Sequence, residues 1–131
     1  MKNKKGFTLI ELMFVVVIIG VLALMGLRLY STQQEKAKNV IVKANAGTVQ
    51  TLIQAELADR NFIDRDEAVL YIANNAGLHN PFNGVKMNLV GWFPENADTP
   101  GEIQIRLYSG IFSIQGYGAD GLFPNILTAR K

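Results

Sequence analysis

The 131-residue chain contains no cysteine. Disulfides, thiolate metal sites and cysteine nucleophiles are thereby excluded, so its compact parts must be held by packing and backbone pairing. One histidine is present, His79. It stands in a loop-like segment, residues 78–81, with no serine, cysteine or acid at motif spacing, and the expectation for it is a surface or packing role. Phosphate-binding glycine loops, HExxH and GxSxG patterns are missing too, which points away from an enzyme and leaves no cofactor to assign. Proline is absent from residues 31–60. Charge is scarce where the chain is most apolar: among the 21 residues from Phe7 to Leu27 the one charge is Glu11.

What is there is a hydrophobic run long enough, at about 1.5 Å per residue, to cross a hydrocarbon core of about 30 Å as a helix. A carboxylate at the centre of such a span costs roughly 2.5–3.5 kcal/mol on insertion scales, so an intramembrane acid is by default a functional residue. Glu11 lies near one end, where the cost is lower but not absent. Lys2, Lys4 and Lys5 precede the run and orient that end to the cytoplasm, so that the remainder is exported. A secretory signal would be followed by a small-residue cleavage site, whereas residues 23–28 read Ala-Leu-Met-Gly-Leu-Arg. The expectation is that the helix is retained.

The stretch Lys5-Gly6-Phe7-Thr8-Leu9-Ile10-Glu11-Leu12-Met13 resembles the processing site of type IV prepilins and type II secretion pseudopilins. The resemblance implies that a prepilin peptidase cuts after Gly6 and methylates the new amino terminus at Phe7. It also implies polymerisation with other copies of the chain into a helical filament, driven by an assembly ATPase on a membrane platform. Glu11 and the Phe7 amine would lie one helical turn apart, and the amine of an incoming subunit would meet the Glu11 of its neighbour. Such a pair is a poor source of stability but a good device for axial register. In the family a proline near the position of Arg28 accompanies local unwinding towards an upstream glycine. Here Arg28 stands in its place, and Gly20 and Gly26 read either as points of helix flexibility or as small residues that permit close helix contact.

The domain expectation is a leader over residues 1–6, a transmembrane and filament-core helix over 7–30, and a pilin-like head over 31–131. Removal of the leader deletes three lysines and leaves 10 basic against 11 acidic side chains, net −1. No global basic field marks the chain for nucleic acid. The helix is expected to continue from Phe7 to Asp59, close to about 80 Å at the standard rise. Its second half is expected to pack through Ala37, Ile41, Ala44, Thr48, Leu52 and Ala55. Asn61 and Phe62 interrupt it. Asp64 followed by Glu67 signals the start of a short second helix, with Ala68, Val69, Ile72 and Ala76 as its apolar face and Gly77 as its C-cap.

Asn80-Pro81-Phe82-Asn83-Gly84 is a turn by composition, similar to a segment of many pilin heads. Residues 87–90 are a possible strand. Residues 103–108 and 111–117 alternate in polarity about Ser109-Gly110, which predicts a hairpin pairing Tyr108 with Ile111, Leu107 with Phe112 and Ile105 with Ile114. Residues 118–121 end the strand, and the apolar tail 122–131 is expected to cover a sheet edge. The same Gly118-Ala119-Asp120-Gly121 resembles a segment near the calcium loop of major pseudopilins, but no further acids follow Asp120 and a turn is preferred. Phe7, Phe14 and Tyr30 lie along the helix and could be cast as a charge-transport path, but core and interface packing is the expectation for them.

The fold class expected is α+β, a long N-terminal helix packed against a small antiparallel sheet. The function expected is a type IV pilus subunit, a single-pass precursor of the cytoplasmic membrane that becomes extracellular. The alternative is the major pseudopilin of a type II secretion system. A third reading, of another class, is a membrane-tethered binding or enzymatic domain that never polymerises.

Overall fold

The structure is a computed structural model and describes residues 5–59 and 64–131. The interruption expected at Asn61 and Phe62 lies outside the described residues, as do Lys2 and Lys4. The chain divides into two compact units, Met1–Glu35 and Lys36–Lys131. Helix α1, Leu9–Asp59, begins in the first and ends in the second. Helix α2 is Arg65–Asn75, and a short 3-10 turn covers Val90–Trp92. Four strands follow: β1 Ile103–Tyr108, β2 Ile111–Gly118, β3 Gly121–Leu122 and β4 Leu127–Ala129. The result is the α+β arrangement, with the α1 residues of the second unit packed against a small antiparallel sheet.

The second unit is built on a stripe of α1 formed by Val42, Ala46, Val49, Ile53 and Leu57, all buried. This corrects the stripe read from the sequence. Ala37, Ile41, Ala44, Thr48 and Ala55 are exposed, and of that set only Leu52 packs partly against the core. Both sets satisfy helical spacing and differ by one residue, about 100° of helix rotation. The set that wins carries the larger branched side chains, whose burial removes more apolar area from water than alanine or threonine can.

Helix α2 starts as the sequence indicates. The Asp64 carboxylate accepts from the Glu67 amide at 2.9 Å, satisfying one of the unpaired donors of the first turn. Ala68, Val69, Ile72 and Ala73 are buried, while Ala76 is only partly so. Ala76 is the C-cap, its N–H donating to the Ile72 carbonyl at 2.9 Å, and Gly77 follows in the left-handed region at φ +62. The glycine therefore acts one position beyond the cap, as a C′ residue does.

The hairpin has the register read from the alternation: Ile105 opposite Ile114, Leu107 opposite Phe112, Tyr108 opposite Ile111. Ser109 at φ 50 and Gly110 at φ 79 are both left-handed, the requirement of the primed turn that matches strand twist. Ile105, Phe112 and Ile114 are buried against the helices. The opposite face is not simply solvated, because Gln104 is 2% exposed. Its side chain accepts from the Ala97 amide at 3.2 Å and donates to Gln115 at 3.2 Å, which fixes the loop after Pro94 over that face.

Two other expectations change. Residues 87–90 form no strand: Lys86 makes an isolated bridge with His79, Met87 donates to the Leu78 carbonyl at 2.8 Å, and the chain then curls into the 3-10 turn that delivers Phe93 to the core. Residues 118–121 do end β2, at Gly118, and reverse the chain so that β3 pairs back on β2. The tail does more than cover an edge, since β4 pairs with β2 through Phe112–Ala129, Ser113–Thr128 and Ile114–Leu127. Gly116 explains how β2 lies so near α1: a Cβ there would sit 2.7 Å from Val42.

Two of the outer strands, β4 and β1, have outward backbone groups taken up by non-strand partners. Gln50 donates to the Thr128 carbonyl of β4 at 2.8 Å, and Gln54 exchanges bonds with Arg130, just past that strand, at 2.7 and 3.2 Å. On β1, Ile105 donates to the Pro94 carbonyl at 3.0 Å and accepts from Arg65 at 2.6 Å. Arg65 also donates to the Phe93 carbonyl.

Ile114→Ala removes a fully buried side chain at the centre of this core and is expected to cost about 2–5 kcal/mol. Thermal unfolding followed by Trp92 fluorescence in detergent micelles measures it. Tyr108→Ala, at a residue 85% exposed, is expected to leave the midpoint unchanged.

Candidate assembly helix

The candidate functional residues lie in the first unit. Residues 5–8 are not helical, and α1 begins at Leu9. The reason is local. The Thr8 hydroxyl accepts from the Glu11 amide at 3.3 Å, and the Glu11 carboxylate accepts from the Thr8 amide at 3.0 Å. This is a reciprocal capping box, which satisfies two donors of the first turn and sets a carboxylate at the positive end of the helix dipole. Sequence reasoning missed it. The signal was available as Thr8 followed three residues later by Glu11, the same spacing that marks Asp64 and Glu67.

Glu11 is thus bonded within its own chain, next to the residues on either side of the expected cleavage point. Gly6 and Phe7 are exposed and lie before the helix, with Phe7 85% exposed. An ionised carboxylate offers about four acceptor positions, so accepting from Thr8 leaves it able to meet a further donor.

Beyond Glu11 the side chains from Leu12 to Tyr30 are apolar almost without interruption and exposed on every side of the helix. Among the described residues α1 is long and apolar enough to cross a membrane, with a mean hydropathy of 2.8 over its most apolar stretch. Gly20 and Gly26 lie inside α1, which is helical across both. A Cβ at either would meet nothing within 4 Å, so no packing inside the chain requires glycine there. Phe14 and Tyr30 are exposed rather than packed within the chain. The Arg28 carbonyl accepts from the hydroxyls of Ser31 at 2.9 Å and Thr32 at 3.2 Å.

The remaining candidates are structural in placement. His79 is exposed, pairs with Lys86 through the backbone, and accepts from Asn45 at its carbonyl at 3.1 Å. Asp120 is exposed in the turn between β2 and β3, and that turn is held by the Asn39 side chain accepting from the Ala119 amide at 3.0 Å. Among the described residues no group of three or more histidines and acids is placed to hold a metal.

Thr8→Ala is expected to fray the start of α1 by about 0.5–2 kcal/mol. Amide exchange at Leu9 to Leu12 in micelles should quicken accordingly, while exchange at Val49 and Ile53 stays as it was.

The family model that matches describes a prokaryotic N-terminal methylation motif and covers residues 1–27. A fimbrial protein, EcpB, of Eikenella corrodens is 45% identical over 58 residues, 44% of this chain and 36% of that protein. The chain therefore spans only about a third of the length of that relative. No solved structure gives a significant match. The first 27 residues carry the prokaryotic N-terminal methylation motif.

Proposed function

We propose that the chain is the structural subunit of a type IV pilus. It enters the cytoplasmic membrane as a single-pass precursor, is cut by a prepilin peptidase between Gly6 and Phe7, and is methylated at Phe7. It then polymerises with copies of itself through residues 7–30, with residues 31–131 outside the filament core. An assembly ATPase and a membrane platform are the implied partners, and the role is structural rather than enzymatic. The observation that carries this reading is the helix after Glu11, apolar and exposed on every side. Lipid covers such a helix in the precursor, and copies of the same helix cover it in an open-ended helical assembly.

Glu11 supplies the register. An acid in an apolar bundle is costly unless paired, so a neighbour's Phe7 amine is held at one height along the axis and excluded from others. Gly20 and Gly26 are the positions where neighbouring helices can approach most closely or where α1 can yield. A pilus is favoured over a type II secretion pseudopilus by the fimbrial name of the relative and by the turn at residues 80–84.

Electron microscopy and mass spectrometry of filaments sheared from the source cells test this. Long extracellular fibres containing the chain from a methylated Phe7 support the pilus. A processed chain confined to the cell envelope supports the pseudopilus instead. Glu11→Ala is expected to insert and be processed normally yet yield no filaments, and normal filaments would remove the register argument. Gly6→Val is expected to block processing, seen as an unchanged precursor mass after co-expression with the peptidase.

A further inference from the structure

Asn83 is followed by Gly84, the one Asn-Gly pair in the sequence. Glycine lacks the Cβ that would hinder approach of its own nitrogen to the preceding side chain, so this dipeptide is chemically primed for cyclisation. The Gly84 nitrogen loses its proton to hydroxide and attacks the Asn83 amide carbon, and ammonia leaves. Water then opens the succinimide at either carbonyl, giving aspartate or isoaspartate. The net change is one water consumed and one ammonia released, with no redox partner.

Both residues are exposed, so water and hydroxide reach them. The attacking atom, however, is held. The Gly84 N–H donates to the Asn80 carbonyl at 2.8 Å, and the Asn80 N–H donates to the Val85 carbonyl at 2.9 Å. Asn80 itself is fixed. It is 1% exposed, its side chain donates to the Pro100 carbonyl at 3.0 Å, and its oxygen accepts from the Phe82 amide at 2.8 Å. A Cβ on Gly101 would lie 2.1 Å from that oxygen, so Asn80 is wedged against the backbone. The Asn83 side chain is tethered as well, accepting from the Val85 amide at 2.9 Å.

We propose that Asn83 is a site of spontaneous deamidation, and that Asn80 sets its rate by holding the Gly84 nitrogen in a hydrogen bond until the turn opens. Reaction then proceeds through the open fraction of the turn, as in any process limited by local opening. Either product adds a negative charge to the exposed surface. The isoaspartate product also adds a backbone methylene inside the turn and breaks the spacing between Asn80 and Gly84.

The test compares the full chain in detergent micelles, native and in urea, at one pH and temperature. Mass spectrometry of the tryptic peptide 66–86 reads conversion of amide to carboxyl. That peptide carries its own controls: Asn75 precedes Ala76, and Asn80 precedes Pro81, which has no N–H to cyclise. In urea Asn83 should convert first, and in the native chain at least about tenfold more slowly. Asn80→Ser, shown to be folded by its thermal melt, should move the native rate towards the urea rate. Equal native and urea rates, or no conversion at Asn83 in urea, would overturn the proposal. So would a folded Asn80→Ser chain as slow as the parent. If that variant fails to fold, amide exchange at Gly84 in the parent chain decides. Protection there must match the slowing of deamidation, and a mismatch in either direction rejects the lock.

Discussion

A helix that is apolar on every side has no face to give to water, and this constraint governs the chain. From Leu12 to Tyr30 the exposed side chains of α1 must be covered by something outside the molecule. Lipid and like helices are the two coverings that need no change in the helix itself, since both are apolar and neither competes for backbone hydrogen bonds. The same segment can therefore pass from one to the other. Glu11 is the exception that gives direction to an otherwise featureless cylinder, and the bonds it shares with Thr8 show how a carboxylate is tolerated at the helix start.

The second unit solves a different problem. It has no disulfide to close it, and its sheet is small, with one six-residue strand and one eight-residue strand flanked by shorter pieces. Its order comes from α1, which provides a buried stripe and, one turn apart, the two glutamines that bind β4 and Arg130 just past it. Arg65 does a similar task at the other side by joining the start of α2 to the backbone of β1 and to Phe93. Polar side chains here replace the covalent staple, each satisfying backbone groups that a lone strand would leave open.

The legible parts of the sequence were those where a local rule has one solution. The register of β1 and β2 followed from period-two alternation about a Ser-Gly turn, because a slip of one residue would have put Arg106 and Ser113 in the core. The start of α2 followed from Asp64 and Glu67. Where two solutions satisfied the same rule, the reading failed. The stripe through Ile41 and Thr48 and the stripe through Val42 and Val49 both have helical spacing, and what separates them is the apolar area each would bury, which spacing alone does not weigh. β4 is three residues long and pairs non-locally with β2, so nothing in its own sequence distinguishes it from a covering tail. Of the candidate site, the motif residues were readable one by one. The bonds between Thr8 and Glu11 were hidden because the acid was weighed as a charge in a membrane and not as a helix cap.

The occupied edges of the sheet bear on a matter of crowding. A protein that gathers at high local concentration presents neighbouring copies with every unpaired strand it exposes, and such strands template cross-β growth. Here Gln50, Pro94 and Arg65 already engage the outward backbone of β4 and of β1 at Ile105, and Gln54 engages that of Arg130 just past β4. At those positions the sheet is closed to a strand added by another molecule.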